Sequence, residues 1–207
     1  MRQSIFALVL LMFALPALAA VEDSAAEKLR GRLNTMTTLS GDFTQTLRDE
    51  GGAVLETSQG TFVLQRPGRF YWHTLEPFEQ LLVSDQQSLW LYDPDLEQVT
   101  VRPVTEEVRK TPAMLLAQEV GTLTQNFTVV QGMGDSTQIF TLTPKVEDKL
   151  FTRLELVFGG DTLSAIHLFD GLGQHTEFAL TNTRKNKVVD ESLFTFTPPE
   201  GVDLLIE

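Results

Sequence analysis

From Gly41 onward the apolar positions of this chain recur at every second residue, in short runs near 43–47, 60–65, 69–75, 80–84, 88–92 and 98–103. Alternation of that kind marks strands with one face turned to a core. Between the runs stand Asp49-Glu50-Gly51-Gly52, Ser84-Asp85-Gln86-Gln87 and Asp93-Pro94-Asp95. These residue types bond their own backbone or tolerate unusual dihedrals, so they predict turns, and the whole reads as a meander of antiparallel hairpins. Further strands are predicted near 127–131, 138–143, 153–158, 163–170, 175–182 and 194–197. Gly171-Leu172-Gly173 joins the fourth of these to the fifth, Pro198-Pro199 ends the last, and 201–206 closes the chain.

Two stretches change period. Ser24-Ala25-Ala26-Glu27 has capping-box spacing, and Leu29, Leu33, Met36 and Leu39 follow at helical intervals. Later, Thr111 can cap, Pro112 suits a first helical position, and 113–117 are strong helix formers, apolar all round. About ten strands in sequence order with only two or three helices predict a mainly β fold with some α. The expected architecture is one incomplete antiparallel β-barrel with a helical lid over its concave face. A barrel that wide is not filled by its own side chains, so the lid encloses either a hydrophobic cavity or a tightly packed core with no hollow.

The first residues read as a leader. Met1-Arg2 is basic, 5–15 is unbroken apolar sequence too short to span a bilayer, and Pro16 precedes the small residues Ala17-Leu18-Ala19. Residues 1–20 are therefore expected to be a signal peptide cut after Ala19 or Ala20, leaving 21–207 as a single domain. The chain has no cysteine, so it has neither a disulfide nor a thiol to lipidate after the cleavage site. Sixteen basic residues face 28 acidic ones, a net charge of −12, which argues against nucleic acid and against an anionic bilayer surface.

Catalytic arrangements are not recognisable. There is no Gly-x-Ser-x-Gly, no His-Glu-x-x-His and no phosphate loop ending in Lys-Ser or Lys-Thr. His167 and His175 flank a turn and can approach each other across a hairpin, but the apolar residues beside them have opposite parity, so a solvent-facing pair is expected rather than a metal site. One residue stands out: strand parity places Arg66 on the same side as Phe62 and Leu64, an arginine on a phenylalanine face.

The segment RPGRFYWHTLEPFEQLLVSDQQSLWLYDPDLEQVTV, beginning at Arg66, resembles the outer-membrane lipoprotein carrier (LolA) family, as do TPAMLLA at 111–117, LTPK at 142–145 and FTFTPPEGVD at 194–203. The family's fold, an incomplete β-barrel closed by helices, agrees with the pattern above. The resemblance implies a monomeric, cofactor-free periplasmic chaperone. Such a protein takes triacylated lipoproteins from an inner-membrane ABC-type releasing complex and hands them to the outer-membrane receptor LolB. That receptor begins with a lipidated cysteine, which this chain lacks. The alternative is a lipoprotein-sensing regulatory domain of similar fold; those chains carry a second domain, whereas this sequence ends at Glu207.

The resemblance also implies a role for Arg66, as a latch on backbone carbonyls of the covering helix around Leu116 and Ala117, with Leu82 nearby. The last carbonyls of a short helix lack intrahelical partners and suit a cation. Phe62, Leu64, Phe70, Trp72, Trp90, Met114 and Leu115 are the candidate residues of the acyl-chain cavity. Phe70 is implied at its entrance, and core packing remains an equal reading for Trp72 and Trp90. The role of the second cation, Arg69, is open.

Overall fold

The computed structural model describes residues 17–105, 112–117, 120–134, 136–146 and 151–207. Helix α1 (Ala17–Asn34) leads into six antiparallel strands: β1 (Thr38–Arg48), β2 (Val54–Gln65), β3 (Arg69–Glu76), β4 (Gln80–Asp85), β5 (Ser88–Asp93) and β6 (Gln98–Pro103). Two short helices follow, α2 (Pro112–Ala117) and α3 (Val120–Asn126). After them come β7 (Phe127–Met133), β8 (Thr137–Pro144), β9 (Arg153–Gly159), β10 (Thr162–Phe169), β11 (His175–Lys185) and β12 (Asp203–Ile206). The strands form one sheet in the order β12-β6-β5-β4-β3-β2-β1-β11-β10-β9-β8-β7, so its two ends, β12 and β7, do not pair and the barrel stays open. Among the described residues no helix is long and apolar enough to cross a membrane.

Alternation dictates which face is buried. Leu39, Phe43, Phe62, Leu64, Phe70, Phe140, Leu142, Leu154, Leu156, Phe158 and Ile166 all turn to one side and join a single core with Ala25, Leu29, Leu33 and Met36. The helical spacing of those last residues is what lays the end of α1 on the sheet. Arg32 then pins α1: it donates to the Gly160 carbonyl at 2.7 Å and to Gln138 Oε1 at 2.6 Å, and meets Asp161 at 3.2 Å. Asn186 fixes the following turn, accepting from the Thr37 backbone at 2.8 Å and donating to the Thr35 carbonyl at 2.7 Å.

Three expectations are corrected. Helix α1 already runs at Ala17, so Ser24 and Glu27 lie inside it and do not cap its start. The sheet is not wholly antiparallel, because β12 pairs with β6 in parallel. The expected strand at 194–197 does not form. Asp190 caps a 3-10 turn (Glu191–Phe194) by accepting from the Ser192 backbone at 3.0 Å, and Pro198-Pro199 cannot supply ladder donors. Phe194 instead packs, 2% exposed, against the outer face of the sheet at β3 and β4, and Phe196 meets Tyr92 with ring centroids 5.7 Å apart. The chain between β11 and β12 is thus a strap over the outer face. Thr111 lies outside the described residues.

Candidate functional site: a lidded apolar cavity

Under the lid, the concave face keeps a cavity of about 250 Å³. Phe62 and Leu64 (β2), Phe70 and Trp72 (β3), Leu82 (β4) and Leu116 (α2) line it, as do Leu89, Ile166, Phe178 and Leu180. With Gln45 of β1 added, seven neighbouring strands reach one small volume, which only a strongly curved sheet allows. Phe62, Leu64, Phe70 and Trp72 share the wall because the turn at 66–68 preserves register: Leu64 pairs with Phe70 and Phe62 with Trp72. Trp72 is the centre of an aromatic cluster. It stacks on Phe43 at 3.9 Å, and Phe62, Phe70 and Phe178 stand at 5.7, 5.8 and 5.5 Å.

Two candidates fall elsewhere. Trp90 pairs with Val83 and Val101, on the face opposite to Leu82 and Leu89, so it belongs to the outer side and not to the cavity wall. Met114 is fully buried in the core beneath the lid but does not line the hollow. The side chain of Leu115 lies outside the described residues.

Arg66 bonds to the covering helices. Its Nε donates to the Leu116 carbonyl at 2.9 Å, and its Nη1 donates to the Leu33 carbonyl and, at 3.2 Å, to that of Met36. Ala117 takes part differently from the expectation: its carbonyl accepts from the Gly68 backbone N–H at 2.7 Å. Gly68 sits at φ +70°, where a side chain is strained, and this conformation turns its N–H toward the helix end. The arginine thus staples two helix ends, α2 and the end of α1, where backbone acceptors lack helical donors. The carbonyls of Leu33 in α1 and Met36 just after it were missed because nothing local relates them to Arg66. Burial pushes the guanidinium pKa down to about 10, so it remains charged at neutral pH. Arg69 is no latch: it points to the strap, where it pairs with Glu191 and stands 6.0 Å from the Phe194 ring centroid.

On the outer face, His167 and His175 do meet, with ring centroids 5.2 Å apart. His175 also stacks on Phe169 at 4.5 Å, and Arg153 lies 3.7 Å over the far ring. Among the described residues no group of three or more His, Cys, Asp or Glu is placed to hold a metal ion. Burial, aided by His167, lowers the His175 pKa. On acidification the unfolded chain takes up this proton before the native state does. Stability from this group is therefore full above about pH 6.5, the ordinary histidine value, and falls as pH drops below it. The urea midpoint is expected to fall further between about pH 7.5 and 5.5 in the native sequence than in His175→Phe. Equal falls would show that His175 contributes nothing to the slope.

An open β-barrel whose concave face keeps a small apolar hollow under short covering helices, tied down through one buried arginine, defines the class of fold to which this chain belongs. The model of the family described as "Outer membrane lipoprotein carrier protein LolA" matches residues 34–197. An outer-membrane lipoprotein carrier protein of Chromohalobacter salexigens is 42% identical over 194 residues, covering 94% of this chain and 92% of that one. One from Pseudomonas aeruginosa is 39% identical over 192 residues, covering 92% of each. Among solved structures, a LolA superfamily protein from Nitrosomonas europaea shares the fold at a TM-score of 0.52 and 11% identity, covering 85% of this chain and 98% of that one. This chain belongs to the LolA family.

Proposed function

We propose that the protein is a periplasmic chaperone that takes triacylated lipoproteins from an inner-membrane ABC-type releasing complex and delivers them to a LolB-like receptor at the outer membrane. Its leader is removed near Ala19 or Ala20, it works as a monomer, and it performs no chemistry on its cargo. The observation that carries this reading is the latched cavity. An acyl chain of about sixteen carbons gains roughly 0.8 kcal/mol per buried methylene, on the order of 12 kcal/mol per chain, so a soluble carrier must enclose it. The carrier names of relatives about 40% identical over nearly the whole chain support the same cargo.

The closed hollow of about 250 Å³ lies below the roughly 300–1,000 Å³ of ordinary ligand pockets, so three acyl chains enter only if part of the lid leaves. Helix α1 is pinned to the sheet through Arg32, whereas α2 is six residues long and held at its end by Arg66 and Gly68. Helix α2 is the moving part. The latch stabilises the empty state and so subtracts from affinity, which lets the cargo leave again.

The test is purification of the mature protein from periplasm, followed by mass spectrometry of whatever accompanies it at a one-to-one ratio. Triacylated lipoproteins are the expected companions. Free lipids or a signalling protein in their place would refute the carrier reading in favour of the sensing one.

A further inference from the structure

Among the described residues, ten of the eleven that line the cavity are apolar, and the eleventh is Gln45. Alternation along β1 puts it there, since Phe43 is buried on the same face two residues earlier. Its cross-strand neighbours are Phe178 on β11 and Ser58 on β2. The other glutamines that face a polar partner have found one: Gln59 donates to Glu76 at 2.7 Å, Gln65 to Glu191 at 2.9 Å and Gln80 to Asp93 at 3.2 Å. The Gln45 side-chain amide makes no hydrogen bond to any described residue. A leucine there would complete the apolar wall without leaving a polar group to desolvate.

The half-buried Gln45 amide, without a protein partner among the described residues, offers a donor to a guest that is hydrocarbon with one embedded acceptor. Resting on the carrier reading above, we infer that the Gln45 side-chain N–H₂ donates to an ester carbonyl at the head of a bound acyl chain, and so distinguishes acyl chains from plain alkyl chains. An ester carbonyl carries no hydrogen of its own and needs only a donor, which the Gln45 amide supplies.

The position of Gln45 also orients the guest. Leu39 pairs with Leu64 beside the latch, and Gln45 lies six residues further along the same strand, about 20 Å away. With its carbonyl at Gln45, the chain runs toward Leu64, Phe70 and Leu116, and its methyl end lies beneath α2. The glyceryl linkage and the cargo protein then leave from the end of the sheet that carries the β1–β2 turn.

The experiment compares a lipopeptide bearing two ester-linked and one amide-linked palmitoyl chains with its analogue in which both esters are ethers. Affinities are measured by competition on the native sequence, on Gln45→Met, which keeps the volume, and on Gln45→Leu. The native protein is expected to prefer the ester form by about three- to tenfold, the worth of one hydrogen bond. Both variants are expected to lose that preference while binding the ether form at least as well as the native protein does. An ester preference that persists in the variants, or is absent from the native protein while both lipopeptides bind, overturns the role of Gln45. If the native protein binds neither lipopeptide, the carrier reading itself fails, and the inference with it.

Discussion

Arg66→Leu is expected to keep its cargo: loading proceeds, and transfer to the receptor slows about tenfold or more. The latch makes three donor contacts to backbone carbonyls, on Leu116, Leu33 and Met36. Hydrogen bonds to charged groups contribute about 1.5–3 kcal/mol each. Against this stands the burial of the guanidinium, which brings its pKa down to about 10 and leaves its Nη2 without a partner. The three contacts form only in the closed arrangement and bias the protein toward it. That bias opposes the bound state, in which α2 must move, and leucine removes it while leaving an apolar residue beside Leu64 and Leu116. The measurement is the rate at which a preloaded, labelled lipoprotein passes to the receptor. A variant that transfers at the native rate would show that the three contacts do not govern release.

Gly60→Ala is expected to be the most disruptive small change in the sheet. A Cβ at this position would stand 1.9 Å from the His73 carbonyl oxygen and 2.9 Å from the Phe43 ring. The first obstacle is backbone in the neighbouring strand, so no rotamer change relieves it. Overpacking of a close-fitted interior costs about 1–3 kcal/mol, and a backbone clash puts the cost at the upper end. For a domain of this size that lowers the melting temperature by about 6–12 °C. Phe43 also supports Trp72 at 3.9 Å, so the same change is expected to shift tryptophan emission from the cavity wall. A melting temperature within about 1 °C of the native value would mean that β2 and β3 separate at little cost there.

Much of the fold was legible because period two is a local signal. The runs at 60–65 and 69–75 became β2 and β3, and the aromatic face they share followed once the turn at 66–68 kept register. In β5 the same signal is mute. Leu89 and Leu91 alternate with Trp90 and Tyr92, both sets apolar, so the pattern does not choose a face. Register makes the choice: Trp90 sits opposite Val83 and Val101 on the outer side, where Phe194 packs over β3 and β4 and Phe196 meets Tyr92. The strap was itself hidden, because FTFTPP alternates as a strand does while its first phenylalanine serves as an anchor.

By itself the sequence determined the succession of strands, the helical cover, the absence of a recognisable catalytic arrangement and the oddity of an arginine among phenylalanines. Each follows from the period of the pattern or from residue types that no fold can supply later. Only the tertiary structure decided what that arginine holds, that Arg69 turns away to Glu191, and that Gln45 is left alone in the wall. Those outcomes depend on residues far apart in the chain, such as Leu33 and Arg66. Their approach is fixed by the summed twist of many strands and by how the lid settles on them, quantities to which no short stretch of sequence gives access.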